Sequence, residues 1–269
     1  MLSLIILSYN DGRSLREILP SWIGVLEQVT GNNYELIVSD DAGTDDTESI
    51  VMSFSNSNKN VHYVKSKTNQ GVGANFRMGI QHTTGEYVAY TDGDGQYVAE
   101  DLRILWQKKD NYDLISGYRV HRADPVIRSV ASGIYNTLVK LIYRVNVKDI
   151  NSGLKLFNRT YLENCMPQLS NGPFYDAEYL IKGYNRKFKI KEFAIAHRPR
   201  IYGKAGGISR RSLGLLFREL CSREMKPFVR RNYFSELLFK VLSICSSRPA
   251  SNSKTLILPN ESVNLPFNT

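Results

Sequence analysis

The chain has 269 residues, 42% hydrophobic and 23% charged, a balance ordinary for a folded protein with one large domain and room for an appendage. Its net charge of +9 calls for an anionic partner, such as nucleic acid, a phosphorylated substrate or an acidic membrane surface, and does not choose among them. The three cysteines, Cys165, Cys221 and Cys245, form no CxxC pair and no metal-ligand spacing, which excludes a disulfide scaffold and fits a reduced, cytosolic setting.

Leu2–Ser8 is a short apolar run that reads as a buried parallel strand, not as a signal peptide, because no basic region or cleavage site accompanies it. A helix over 14–29 and a strand over 34–39 follow, the strand running into Asp40 and Asp41. Asp45 and Glu48 fit a capping box for the next helix. Strands at 61–64, 86–90 and 114–117 alternate with helices at 72–82 and 100–109. Repeated β-α units of this length imply a parallel, doubly wound sheet covered by helices. Beyond residue 120 the pattern changes. Ile127, Val130, Ala131, Ile134, Leu138, Leu141 and Ile142 fall on one helical face, with Arg128, Ser132, Asn136, Lys140 and Arg144 on the other. A strand near 153–157, a helix over 175–184 and two basic amphipathic helices at 213–225 and 234–245 complete the series. The reading divides the chain into a domain over 1–211, amphipathic helices over 212–245 and a Ser-, Asn- and Pro-rich disordered tail over 246–269. No apolar run reaches the roughly 18 residues of a membrane-crossing helix, so any membrane contact is peripheral or through a partner protein.

The sharpest local signal is Tyr90-Thr91-Asp92-Gly93-Asp94-Gly95-Gln96, two carboxylates placed directly after a buried strand. Ligands of open parallel sheets bind outside the carboxyl ends of the strands. Mg²⁺ and Mn²⁺ take oxygen ligands, a few from protein and the rest from water and phosphate, and Asp94, Gln96 and the nearby Asp92 offer such oxygens. A polar Asp-Gly turn fits the same residues equally well. Asp40 and Asp41 stand at another strand end, where a carboxylate can read a nucleobase N–H. Gly71 and Gly73 open a helix and suit either a phosphate or a plain tight turn. Two basic series remain: Arg119, Arg122 and Arg128, and Arg198, Arg200, Lys204, Arg210 and Arg211 around flexible glycines. Arginine binds phosphate oxygens bidentately, and the glycines suit a loop that closes over an anion.

Taken together, these segments resemble glycosyltransferase family 2, which has the GT-A fold. Leu4 to Asn10, with Ser8 and Asn10 at the strand exit, resembles the family's first strand. Residues 35–47 resemble its nucleotide-binding segment, and Asn69 to Gly73 and Gly85 to Val88 resemble the approach to its DxD motif, here Asp92-Gly93-Asp94. In the second half, Ser116 to Asp124, Arg128, Asp149 to Lys155 and His197 to Ser209 resemble the polyprenyl-phosphate glycosyltransferases, the subgroup of dolichyl-phosphate mannosyltransferase. The chain departs from the pattern at Ala42-Gly43 and at Ala205-Gly206-Gly207, and it lacks the terminal membrane helices of many bacterial relatives.

The resemblance implies an α/β, Rossmann-like GT-A domain with C-terminal amphipathic helices, acting at the cytoplasmic face of a membrane. It implies a nucleotide-sugar donor (a UDP-sugar or GDP-mannose), a divalent metal, Mg²⁺ or Mn²⁺, on Asp92, Asp94 and Gln96, and a polyprenyl phosphate acceptor. Ser8, Asn10, Asp40, Asp41 and Gly71 then line the donor site. Arg200, Lys204 and Arg210 neutralise the diphosphate, and Arg119, Arg122 and Arg128 hold the acceptor phosphate. An ionised phosphate attacks without a strong base, so positioning and electrostatics carry the catalysis. Transfer to a saccharide hydroxyl is the alternative, and it demands a base such as Asp176 or Glu178. A non-enzymatic nucleotide- or polyanion-binding module is the third reading; nucleic-acid-binding signatures are absent, so no nucleic-acid partner is expected.

Overall fold

All seven residues of strand β1 (Leu2–Ser8) are buried, because helices cover both of its faces. The computed structural model describes residues 1–120, 126–203, 218–220, 222–229 and 236–241, with the side chains of 126–128, 223 and 224 outside that description. Alternate residues of β1 serve two cores: Ile5 and Leu7 join Val88 and Tyr90 on one side, and Leu4 and Ile6 join Leu36 and Ala89 on the other. Strand β1 pairs in parallel with β2 (Tyr34–Asp40) and β4 (Tyr87–Asp92), and β2 pairs in parallel with β3 (Val61–Lys65). Helices α1 (Gly12–Thr30), α2 (Thr47–Ser57) and α3 (Val72–Gln81) make the crossovers. Leu15, Ile18, Leu19, Trp22, Val25 and Leu26 form the buried stripe of α1, which stops at Gly31 in the left-handed conformation.

The second half departs from the expected run of parallel strands. Strand β5 (Leu114–Arg119) does not lie beside β4. Strand β6 (Lys155–Asn158) enters between them, antiparallel to both, and β7 (Ile190–Ile195) pairs in parallel with β5. The order is β3-β2-β1-β4-β6-β5-β7, a mostly parallel α/β sheet as expected for its class. Helices α1, α2 and α4 (Asp101–Trp106) pack on one face. Helices α3, α5 (Val126–Tyr143), α6 (Arg159–Cys165) and α7 (Tyr175–Asn185) pack on the other.

Several local expectations change. Helix α6 and strand β7 go unannounced in the sequence. The first has seven residues, too few for a helical period, and β7 is an edge strand with only Ile195 buried. Asp45 and Glu48 form no capping box. Asp45 accepts from the Thr47 N–H (3.1 Å) and the Gly12 N–H (2.9 Å), joining the starts of α2 and α1, while Glu48 pairs with Lys65 (3.3 Å). Helix α5 is rotated from its expected face. It buries Tyr135, Asn136, Val139, Ile142 and Tyr143 and leaves Val130, Ile134 and Leu141 outward. The tyrosine rings carry more apolar area than the branched side chains they displace, and the Asn136 amide meets the Lys148 carbonyl at 3.4 Å. Of the two predicted C-terminal helices, residues 218–220 and 236–241 are helical and Arg223–Phe228 is a 3-10 turn; the rest, and the predicted tail, lie outside the described residues.

One buried ion pair ties this half to the sheet. Lys155 of β6 is fully buried, and its ammonium donates to Asp176 Oδ1 of α7 (2.9 Å), the Ile150 carbonyl (3.0 Å), the Tyr90 hydroxyl of β4 (3.1 Å) and the Ser152 carbonyl. Tyr90 (2.6 Å) and Tyr179 also donate to Asp176 Oδ1. Removing one partner of such a pair strands the other charge in the core. Lys155→Met is expected to cost about 3–5 kcal/mol in urea unfolding, with much of the loss recovered by adding Asp176→Leu. A single-variant loss below about 1 kcal/mol, the range of exposed pairs, would remove the pair from this role.

Candidate active site

The parallel strands end in register, which brings acids from distant parts of the chain to one rim. Ser8 pairs with Asp40, and Leu7 pairs with Asp92. The rim lies outside the carboxyl ends of β1, β2 and β4, where the chain crosses from one side of β1 to the other. Asp92 is the last residue of β4 and is half-buried. Its carboxylate accepts no hydrogen bond from any described residue. Burial, and then the charges of Asp94 and Asp176, push its pKa well above the usual carboxylate range, while Arg119 pulls it down. The loop over 150–154 presses on it so closely that a Cβ on Gly153 would lie 2.3 Å from Asp92 Oδ2. The Gly153 N–H donates to the Tyr97 hydroxyl at 2.6 Å, which fixes that approach.

Asp94 is buried one turn further on. Its Oδ1 accepts from the Gln96 N–H (3.0 Å), and its Oδ2 pairs with Arg200 Nη2 (2.7 Å). Arg200 Nη1 reaches Asp11 Oδ1 (3.2 Å), so one guanidinium bridges two acids that follow different strands. Its buried Nε has no hydrogen-bond partner among the described residues. Burial raises the Asp11 pKa to about 6, partly offset by the Tyr9 N–H and by Arg200. The segment carrying Arg200 is laid on the acid loop: Arg198 N–H donates to the Gln96 carbonyl (2.9 Å) and Ile201 N–H to the Asp94 carbonyl (3.3 Å). Gly95, at φ 79°, makes room, since a Cβ there would meet Ile201 Cδ1 at 2.4 Å. The Gln96 amide nitrogen faces the Arg198 carbonyl at 3.4 Å.

Of the other expected site residues, Asp40, Asp41 and Asn10 are brought to the same rim with their side-chain oxygens engaged. Asp40 is fully buried and accepts from the Gly43 N–H (2.9 Å) and the Tyr63 hydroxyl (2.6 Å). Asp41 accepts from the N–H groups of Gln70 and Gly71, both at 2.8 Å. Both therefore tie together the loops around the rim at which the base contact is expected. Gly71, at φ 96°, packs against the Asn171 backbone, so its lack of a Cβ serves that contact. The Ser8 hydroxyl is buried without a partner among the described residues, and Asn10, at φ 58°, accepts from the Thr44 N–H at 2.7 Å. Arg119 was expected to offer its guanidinium to an acceptor phosphate. Its Nε and Nη2 instead grip Asp149 at 2.6 and 2.8 Å in a buried bidentate pair. Arg122, Lys204, Arg210 and the side chain of Arg128 lie outside the described residues.

Asp11, exposed Tyr9 and Asp176 are rim residues that the motifs did not single out for the donor site. The signal was available for Asp11, which follows β1 as Asp40 and Asp92 end β2 and β4. Asp176 spends Oδ1 on Lys155, Tyr90 and Tyr179, and no described residue donates to its Oδ2. Glu178 points elsewhere: it accepts from the Gln168 and Ser170 N–H groups (2.7 and 3.1 Å) and pairs with Lys182 (2.6 Å).

The donor set fits a divalent cation that brings its own ligands. Asp92 is a half-buried carboxylate that no described residue donates to, next to Asp94 and the amide of Gln96. Among the described residues no three Asp, Glu, His or Cys side chains enclose a metal site, so the fit is to an ion completed by phosphate and water. Crowded acids also cost stability, with a definite sign. A carboxyl whose folded pKa lies above its unfolded value stabilises the fold at low pH and loses that contribution as pH rises through the folded pKa. In chelator, Asp92→Asn is therefore expected to raise stability at pH 8.5 by roughly 1 kcal/mol, about 2–4 °C in Tm, and to change little at pH 4. Equal melting shifts at both pH values would remove Asp92 as the strained group.

Comparison with known proteins agrees with this geometry. Residues 3–166 match the family model described as Glycosyl transferase family 2. A dolichyl-phosphate beta-glucosyltransferase of Saccharomyces cerevisiae is 26% identical over 220 residues, covering 72% of this chain and 66% of the relative. An undecaprenyl-phosphate 4-deoxy-4-formamido-L-arabinose transferase of Shewanella sediminis is 25% identical over 228 residues, covering 84% and 67%. The chain thus spans about two thirds of the length of both relatives. Both bear names from the polyprenyl-phosphate subgroup that the second-half motifs resemble. Among solved structures, glucosyl-3-phosphoglycerate synthase from Mycobacterium tuberculosis, in complex with Mn²⁺, UDP and phosphoglyceric acid, aligns with a TM-score of 0.60 at 18% identity. That alignment covers 81% of this chain and 78% of the synthase, and it shows a GT-A-like fold. With the matched region spanning more than half of its residues, the chain belongs to glycosyltransferase family 2.

Proposed function

We propose that this protein transfers a sugar from a nucleoside-diphosphate sugar to a polyprenyl phosphate at a membrane surface, with inversion at the sugar. The observation that carries the donor half is the Asp92 carboxylate, half-buried at the sheet rim, without a hydrogen-bond donor among the described residues and two positions from Asp94. The names of the two relatives support the acceptor half.

In this reading Asp92, Asp94 and the Gln96 amide oxygen hold Mg²⁺ or Mn²⁺. The bound ion supplies positive charge against the diphosphate leaving group. Asp40 and Asp41 keep the loops of the base pocket in shape, and Tyr9 offers an exposed ring at its edge. Arg200 neutralises Asp94 and Asp11 before the donor binds and turns to the diphosphate afterwards, joined by Lys204 and Arg210. The buried Arg119–Asp149 pair fixes the end of β5 and sets positive potential beside Asp92, and Arg122 and Arg128 receive the acceptor phosphate. That phosphate is already ionised, so no described residue is required to remove a proton.

One observation favours a saccharide acceptor: Asp176 Oδ2 has no donor among the described residues, and its charge is felt at Asp92, as a base for a hydroxyl acceptor requires. A folded Asp176→Asn variant separates the two. A phosphate acceptor predicts a loss below about tenfold, and a hydroxyl acceptor predicts roughly 10²–10⁴-fold. The main test is a screen of UDP- and GDP-sugars with membrane lipid extract and Mn²⁺. Product partitioning into organic solvent is expected, falling by at least about 100-fold in Asp94→Ala with the fold intact. Full activity of that variant, or product that stays in water, would contradict the proposal.

A further inference from the structure

The corner of the rim at the ends of β2 and β3 is rich in hydrogen-bond acceptors, and most of them are engaged within the protein. Asp41 accepts two successive N–H groups, Gln70 on Oδ1 and Gly71 on Oδ2, each at 2.8 Å. These two bonds fill the fork of the carboxylate, the arrangement that otherwise takes a pair of parallel donors. The Ser66 hydroxyl stands 3.3 Å from the same Oδ1. Asp40 gives Oδ1 to the Gly43 N–H (2.9 Å) and Oδ2 to the Tyr63 hydroxyl (2.6 Å). The backbone carbonyls beside them each take two donors. That of Asp40 receives the Ala42 and Ser66 N–H groups, both at 3.0 Å, and that of Ser8 receives the Asp41 N–H (3.0 Å) and the Asn75 amide (3.2 Å). A carbonyl oxygen has two lone pairs and a carboxylate about four, so little acceptor capacity is left at this corner, and what Asp40 keeps is divided between its two oxygens.

Nucleobases differ in what they ask of such a corner. In a nucleoside, uracil carries a single N–H, on N3. Guanine carries the N1–H and the 2-amino group along one edge, and a carboxylate satisfies that edge only with both oxygens turned to it. A donor buried without an acceptor weakens binding. We propose that the donor nucleoside is uridine, and that Tyr63 sets this choice by holding Asp40 Oδ2. Tyr63 is half-buried against the core that α1 and α2 cover, which fixes its hydroxyl on Asp40. With Oδ2 held there, Asp40 offers a base one acceptor and no fork, and the fork of Asp41 is already filled. The inference rests on the donor half of the proposed function and narrows its substrate to UDP-sugars. It also names a specificity residue on β3, away from the acid loop after β4.

The test is calorimetric binding of UDP, GDP and inosine diphosphate to the full chain with Mn²⁺. UDP is expected to bind at least about tenfold tighter than GDP. Inosine diphosphate keeps both rings of a purine and lacks the 2-amino group. It is expected to bind at least about threefold tighter than GDP, because donors without acceptors, not ring size, set the penalty. Tyr63→Phe frees Oδ2 and is expected to tighten GDP at least about fivefold while UDP stays within about twofold. In an Asp40→Asn background the same change is expected to leave the ratio of the two affinities within about twofold, since no carboxylate fork is there to free. Melting transitions establish that the variants are folded, and a merely structural role of Tyr63 would weaken all three nucleotides alike. GDP bound as tightly as UDP, inosine diphosphate bound no tighter than GDP, or a wild-type ratio in Tyr63→Phe overturns the inference and leaves the donor reading standing. Failure of every nucleotide to bind with Mn²⁺ overturns both.

Discussion

Carboxylates crowded at the open edge of a parallel sheet are the constraint on which the rest of this structure depends. Asp11 follows β1, Asp92 ends β4 and Asp94 follows it, and Asp176 reaches the same rim from α7. Arg200 bridges Asp11 and Asp94, and Asp149 claims the Nε and Nη2 of Arg119. Asp92 receives only part of the compensation it needs, and its raised pKa is the sign of that deficit. A protein that held these groups only for stability would have paired Asp92 or replaced it. Keeping it suits a site whose missing charge arrives with the ligand.

The architecture beneath the rim holds the acids in place and leaves Asp92 without a full counter-charge. Lys155 neutralises Asp176 from below and takes Tyr90 of β4 into the same network, so β4, β6 and α7 are tied together. Gly153 allows the 150–154 loop to press on Asp92, and Gly95 allows the Arg200 segment to lie on the Asp94 loop. The antiparallel insertion of β6 between β4 and β5 is what brings Lys155 and Gly153 to this position. Fold and site are therefore coupled through one strand of four residues.

The first half of the fold was legible because its signals are local. Continuous apolar runs such as Leu2–Ser8, ending in or followed closely by Asp or Asn, mark buried parallel strands and the rim at once. Asp92, Asp94, Gln96 and Arg200 were read from such signals and from a family resemblance, and the structure brings them together. Strand direction carries no such signal, so β6 gave no sign that it runs antiparallel. A lysine inside a strand reads as solvent-facing, and only the tertiary partner Asp176 makes Lys155 a core residue. The protein partners of Arg119, Asp40 and Asp41 were hidden, because sequence shows a charge and not the groups beside it. The outward stripe of α5 was hidden for a related reason: Tyr135 and Tyr143 compete with Val130 and Ile134 for the core, and side-chain area decides the rotation.

The central claim is that Asp92 and Asp94 take up a divalent cation jointly with a nucleoside diphosphate. Titration of Mn²⁺ followed by electron paramagnetic resonance, with and without UDP or GDP, tests it most directly. The account predicts strong Mn²⁺ uptake only when one of the nucleotides is present, and its loss when Asp94 is changed to alanine. Nucleotide binding that is equally tight in excess chelator would contradict it.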